Sequence, residues 1–407
     1  MYRGRKRPKG KACHTLKQIL PASTLGGTGA GIAAGFAVFG FGTDTEGSVI
    51  GPSARAGLWG LRPTQGTISA DGNFAAAPSM DAAGPMAKHV KDVAYAYGAM
   101  NNDINRFANL LNLGISGLRI GIMVSFMKPS MVKVNDEVVI DYNPDTALTH
   151  IIYGQLSEVL RTAGAAVVST SESIDKNIKD SILAFSNEKN NGECAKSRTR
   201  QSLENYFQKT SWNTLASWIS KSDFSTPQFT GYNPADKYSK ISKAPLPPNS
   251  TLCDKWDSIR SQMRKIMSDI MTQNSVDVLV WPAQGGDPAT LDYSKFCPTL
   301  PSEGTPAVSI SPVTAWPTLV APVGHSTAGF PYAIQFFANK SREDLLLRVG
   351  LAWEQGAGAV NLLHVPNETP ELDGNQPAYN TYTYVIYPEK RHVNFFSSNY
   401  YDRPHLW

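Results

Sequence analysis

From Ser23 to Ser69 the chain reads STLGGTGAGIAAGFAVFGFGTDTEGSVIGPSARAGLWGLRPTQGTIS. Small residues are so dense here that two backbones must approach closely, or the chain must turn where φ is positive. Ser48 closes the run Gly42-Thr-Asp-Thr-Glu-Gly. A serine after such a loop can present its hydroxyl beside several consecutive backbone N–H groups. Donors of that kind can hold the oxyanion that develops in acyl transfer, and the serine would be the nucleophile if a base takes its proton. On spacing alone a plainer reading stands beside this one. It is a Gly/Ala helix packed tightly on a sheet, with a serine that caps a turn.

Other readings of the same stretch are weaker. Gly29-Ala-Gly31-Ile-Ala-Ala34 fits the dinucleotide pattern GxGxxA. But Lys17–Leu25 makes a poor strand, Pro21 interrupts it, and the nearest downstream acid, Asp44, comes too early. The phosphate-loop pattern GxxxxGK[ST] is absent. Seven histidines are present without a GxSxG elbow. His89 and His325 therefore read as ordinary satisfied or exposed residues.

Composition sets the class. Of 407 residues, 18% are charged and 42% apolar, which excludes a disordered chain, a coiled coil and a collagen. No unbroken apolar stretch reaches about 18 residues, so no membrane span is expected. Residues 1–17 hold seven of the 38 basic residues and none of the 34 acidic ones, so the remaining 390 residues carry a net −3. The basic character belongs to a solvated tail. No nucleic-acid partner is expected, although such a tail leaves a nuclear destination open. No apolar segment follows the basic residues, so the expected location is the cytoplasm. The sequons at Asn249, Asn339 and Asn367 then read as chance. Cys13, Cys194, Cys253 and Cys297 are widely spread. They suggest neither a metal site nor a disulfide scaffold.

Along the chain, helices and strands alternate. Leu118–Val124, Ala166–Ser169, Val276–Trp281, Thr318–Val323 and Tyr332–Phe337 read as strands, the last two joined through Gly324–Gly329. Thr146–Ala163, Lys255–Gln273 and Ser341–Gln355 carry helical periodicity. Ser341 is the expected cap of the last helix, and Gly356 its stop. Residues 185–250 are polar and read as a loop-rich insertion with short helices. Residues 375–407, rich in Tyr, Asn and Pro, have no assigned place. The domain reading is a basic tail over 1–22, one domain over 23–365 and an extension over 366–407.

Several ordered motifs resemble the amidase signature family. They are LGGTGAGIAAG, GTDTEGSVIGPSA and GLRPT, then Asp81-Ala-Ala-Gly-Pro-Met, VLVWPA and FPYAIQFF, with the SREDLLLRVGLAWE helix. The resemblance covers roughly residues 22–356. It implies an α/β fold, a mixed twisted sheet sandwiched between helices. It also implies amide hydrolysis by a Ser–cis-Ser–Lys triad without metal or organic cofactor, on a small-molecule amide. Position by position, Ser48 becomes the nucleophile, Thr45, Glu46, Gly47 and Ser48 supply oxyanion N–H groups, and Thr24 takes the bridging serine's place.

The chain departs from the pattern at five points. Only 23 residues precede Thr24, and none resembles the family's apolar strand carrying the base Lys; Lys17 is the nearest lysine. Thr24 adds a methyl, Leu25 replaces a second serine, Glu46 replaces a glycine, and Ile50 stands where Arg is usual. The expectation is thus an N-terminally incomplete fold with an exposed sheet region. The alternative to a working amidase is a catalytically impaired amidase-like protein, or a truncated chain, that keeps a ligand pocket without the general-base Lys.

Overall fold

A computed structural model describes residues 26–128, 130–134, 137–142, 145–171, 178, 192–222, 234–248, 250–284, 309–327 and 329–357. The chain divides into Met1–His364 and Val365–Trp407, and the second unit falls wholly outside the described residues. So do Thr24, Lys17, Cys13 and Cys297.

The hairpin expected around Gly324–Gly329 is the centre of the sheet. Strands β9 (Thr318–His325) and β10 (Pro331–Ala338) pair antiparallel. Eight strands follow the order β1-β3-β2-β9-β10-β8-β4-β7. The others are β1 (Phe39–Asp44), β2 (Trp59–Arg62), β3 (Ala82–Ala87), β4 (Arg119–Ile122), β7 (Ala166–Ser169) and β8 (Val278–Pro282). β4 runs parallel to β7 and β8, and the remaining pairs are antiparallel. This is the expected mixed sheet. β1 is its outer strand, and its Phe39 and Phe41 are exposed. A separate hairpin, β5 (Ser130–Val134) with β6 (Glu137–Tyr142), is an element that the sequence reading did not identify.

Alternation along the strands divides the core in two. Leu319, Ala321 and Val323 of β9 join Ile334 and Phe336 of β10 on one face. That face is covered by α3 (Val90–Met100), α4 (Ile104–Leu110), α5 and α11 (Glu343–Gly356). α5 starts at Thr146–Ile151, passes through a π turn at Ile152–Leu156 and ends at Ser157–Thr162. Its Leu148, Ile152, Leu156 and Leu160 are buried, as the periodicity predicts. The opposite face carries Leu279, Trp281 and Phe337. There it meets α9 (Ser250–Gln273), whose Cys253, Trp256, Met263, Met267 and Ile270 recur at intervals of three, seven, four and three residues, on one helical face. Trp316 stacks on Phe337 within this second core, with ring centroids 5.9 Å apart. The short α10 (Ile310–Thr314) lies on the same side.

Small residues near the N-terminal end of the described chain do what their density requires. α1 (Gly26–Ala33) and α2 (Ile50–Arg55) pack together beside β1 and β2. A Cβ on Gly60 of β2 would run into the Ser53 hydroxyl of α2, so only glycine lets this helix lie so close to the strand.

Three expectations need correction. Ser341 does not cap α11. Its backbone is left-handed, at φ +62°, and its N–H donates to Thr64 Oγ1 at 2.8 Å. The tie to Thr64 turns the chain ahead of the helix, which begins at Glu343 with no side-chain cap. The stretch 185–250 is more helical than its polarity suggests. It contributes α6 (Glu193–Gln208), α7 (Leu215–Lys221) and α8 (Pro234–Ser242), which enclose a small core of Leu203, Phe207, Leu215 and Ile241. Their apolar positions are few but fall on the right faces.

The third correction concerns cysteine. Cys194 and Cys253 form a disulfide across 59 residues of chain, joining α6 to α9. Spacing alone could not nominate that pair. Closing a loop of this length restricts the unfolded chain, so Cys194→Ala/Cys253→Ala is expected to lower stability by about 2–4 kcal/mol. A urea midpoint indistinguishable from that of the native chain would contradict it.

Candidate active site

The turn between β1 and α2 carries Ser48. Its shape is set by a carboxylate that the sequence places at the end of a strand. Asp44 is fully buried. Its Oδ1 accepts from Gly47 N at 2.9 Å and from Arg62 Nε at 3.1 Å. Its Oδ2 accepts from Val49 N at 2.7 Å and Ile50 N at 3.2 Å. Two bonds to each oxygen use the carboxylate's acceptor capacity, and three of the four come from the turn itself. Gly47 stands at φ +108°, where a side chain would be strained. Ser48 sits half-buried in the turn so formed.

Arg62 of β2 is the cation that makes a buried Asp44 tolerable. It is fully buried, and its guanidinium also donates to Met80 O, with weaker contacts at 3.5 Å to Pro63 O and Ser311 Oγ. Burial draws its pKa below the ordinary value, and the Asp44 carboxylate opposes that shift. A third charge completes the support. Asp81 Oδ1 accepts from the Thr45 hydroxyl at 2.6 Å, and Asp81 also receives the amides of Ala76 and Ala77. Burial raises the Asp81 carboxyl above its ordinary value, against the hydrogen bonds from Thr45, Ala77 and Ala76.

The residues singled out from the sequence are thereby placed. Thr45, Glu46, Gly47 and Ser48 share one turn. Thr45 is tied by its side chain to Asp81. The Gly47 N–H is directed at Asp44. Glu46 Oε1 lies 3.5 Å from Ser309 Oγ, which donates to it. Ile50 is buried in α2, packed with Ala54, Val320 and Ala333. Thr24 and Lys17 lie outside the described residues. His89 is exposed at the start of α3, with Nδ1 3.3 Å from Glu354 Oε1, and His325 ends β9. Asp44, the acid that comes too early for the dinucleotide pattern, serves Arg62 and the turn.

Sequence reasoning gave Asp44, Arg62 and Asp81 no part in the Ser48 site, although each lies in a quoted motif. A signal was present. Asp44 ends the strand FGFGTD, and Arg62 ends WGLR, a strand buried throughout. A charge inside a buried strand requires a partner, and the two motifs supply one for each other.

The amidase family model matches residues 22–138. The A subunit of glutamyl-tRNA(Gln) amidotransferase from Listeria innocua is 25% identical over 369 residues, which is 83% of this chain and 67% of that protein. The same subunit from Listeria monocytogenes is 37% identical over 119 residues, about a quarter of each chain. The native peptide amidase of Stenotrophomonas maltophilia shares the fold, with a TM-score of 0.63 and 23% identity. That match covers 83% of this chain and 66% of the amidase. The matched segments thus span from a quarter to about two thirds of these relatives' own lengths. The family model falls on the Ser48 turn and its buried charges, and the fold is shared over most of the chain: the chain is similar to the amidase signature family.

Proposed function

We propose that the chain hydrolyses the carbon–nitrogen bond of a small or linear amide, with Ser48 as nucleophile. The observation that carries this reading is the turn at residues 44–50. A serine stands in a backbone loop whose form is fixed by a buried carboxylate, before any substrate arrives. Preorganised main-chain donors are what an acyl-transfer site needs, because they require no rearrangement as charge develops. The names of the relatives, a peptide amidase and an amidotransferase subunit, fit the same bond type.

The steps follow from the chemistry of serine. Ser48 Oγ attacks the amide carbonyl carbon, and the carbonyl oxygen takes the charge. Backbone N–H groups of the turn receive it, those of Thr45, Glu46 and Ser48 in the first place. Gly47 joins them to the extent that its N–H, which bonds Asp44 Oδ1, is shared. The Ser48 proton passes by way of the Thr24 hydroxyl to the leaving nitrogen, and the C–N bond breaks. Water then attacks the acyl-serine ester, which releases the acid and restores the hydroxyl. Glu46 held towards Ser309 keeps its carboxylate engaged while its amide remains part of the turn.

A fluorophosphonate probe tests this without knowledge of the substrate. It should label the folded chain on the peptide containing Ser48, and Ser48→Ala should abolish the label. No labelling, or a label unchanged in Ser48→Ala, removes the proposal.

A further inference from the structure

A second group of cations takes no part in the Asp44 turn. Arg260 and Arg264 stand one helical turn apart on α9 and so share a face. Arg260 Nε donates to Val313 O at 2.9 Å, and its Nη2 donates to Gln65 Oε1 at 3.0 Å. Gln65 is itself fixed, with Nε2 donating to Pro78 O at 2.7 Å. Arg264 Nε donates to Thr314 O at 2.9 Å. Both guanidinium groups are therefore held in place by neutral acceptors. With Lys340, which follows β10, and with Gln65, Thr314, Ala315 and Trp316, they line a cavity of about 340 Å³.

No carboxylate is among those lining residues. An adjoining cavity of about 540 Å³ shares Gln65 and Arg260 and adds Arg198 and Asp257. Its acid is already engaged, because Arg198 grips Asp257 through two bonds of 3.0 and 2.8 Å. Arg260 is only 7% exposed and its hydrogen bonds go to the neutral acceptors Val313 O and Gln65 Oε1, so a buried cation faces this space. Its pKa falls to about 10, through burial first and the Arg264 charge second, with Asp257 opposing. An entering anion would relieve that mutual repulsion.

We propose that this cavity is an anion site for the phosphate group of a small phosphomonoester, distinct from the Ser48 turn. No residue of that turn lines it. Three cations with two prefixed forks match a group that carries nearly two negative charges and three acceptor oxygens. A monoanionic carboxylate would leave positive charge uncompensated. The cavity also exceeds what bare phosphate fills, which leaves room for the group it is attached to.

The test is calorimetric titration of the full chain at ionic strength held constant with chloride. The probes are inorganic phosphate, glycerol phosphate and acetate. Saturable one-to-one binding of both phosphates, each tighter than acetate, is the expected result. Arg264→Gln and Lys340→Gln should each weaken phosphate binding at least about tenfold. Lys265→Gln is the control, since Lys265 is paired with Asp269 on the exposed side of α9, and it should leave binding unchanged. Lys340 lies on an exposed turn, so its variant reports on the site even if Arg264→Gln perturbs folding. Non-saturable heats in the native chain overturn the proposal. So do unchanged affinities in Lys340→Gln, an equal loss in Lys265→Gln, or acetate binding as tightly as phosphate. Phosphate that binds while glycerol phosphate does not overturns the phosphomonoester assignment. None of these readouts depends on amide hydrolysis.

Discussion

Arg62→Met is expected to lower the unfolding free energy by about 3–5 kcal/mol, because it leaves the Asp44 carboxylate buried without its cation. Methionine keeps much of the volume, so the loss reports on charge more than on packing. Asp44 would still hold three amides of the turn, but it would do so as an uncompensated charge or as a protonated acid. Either state alters the turn that carries Ser48. The shift should appear as a lower urea midpoint with an unchanged slope. The double variant Asp44→Leu/Arg62→Met should recover part of the stability, since an apolar pair of similar volume removes both desolvated charges. It should not recover the turn. A loss below about 1 kcal/mol in Arg62→Met would place the pair among weak surface-type bridges and refute its structural role.

Ser48→Ala is expected to have the largest kinetic effect. If Ser48 forms the acyl-enzyme, its removal should depress kcat on an aryl amide by about 10⁶-fold, the scale known for loss of a serine nucleophile. What remains would come from binding and from the main-chain donors alone. The urea midpoint should stay within about 0.5 kcal/mol of the native chain, as for a small substitution outside the core. Substantial retained turnover in a folded Ser48→Ala chain would show that another group attacks the amide.

The parts of the fold that were readable are those in which one physical signal dominates. Val276–Trp281, Thr318–Val323 and Tyr332–Phe337 are β-rich apolar runs bounded by Pro or Gly, and they appear as β8, β9 and β10. β1, β2 and β3 escaped because FGFGTD, WGLR and AAGPMA are short and rich in Gly or Ala, so neither periodicity nor propensity marks them. They become strands by pairing with one another and with β9. The expected helix over Lys255–Gln273 begins five residues earlier, at Ser250, because the Pro-rich run APLPPNS at 244–250 reads as loop up to that residue. The Cys194–Cys253 bond was hidden for a different reason: it joins positions 59 residues apart, and no local pattern encodes a distance through space.

For the candidate site, the motifs placed Ser48 and its neighbours in one loop, because that loop is contiguous in sequence. The charges beneath it were legible only as separate letters. Asp44, Arg62 and Asp81 come from three segments, and their union depends on β1, β3 and β2 lying side by side. Arg260 and Arg264 were likewise two unremarked basic positions on a helix until the residues around Gln65 and Trp316 enclosed them.

The Asp44–Arg62 anchor has a consequence for evolution of the chain. Because the loop's form is dictated from below, residues that touch a visiting molecule from above can change without disturbing it. New specificities can arise on the rim while the floor stays as it is, and any sequence change at the floor must come as a matched pair.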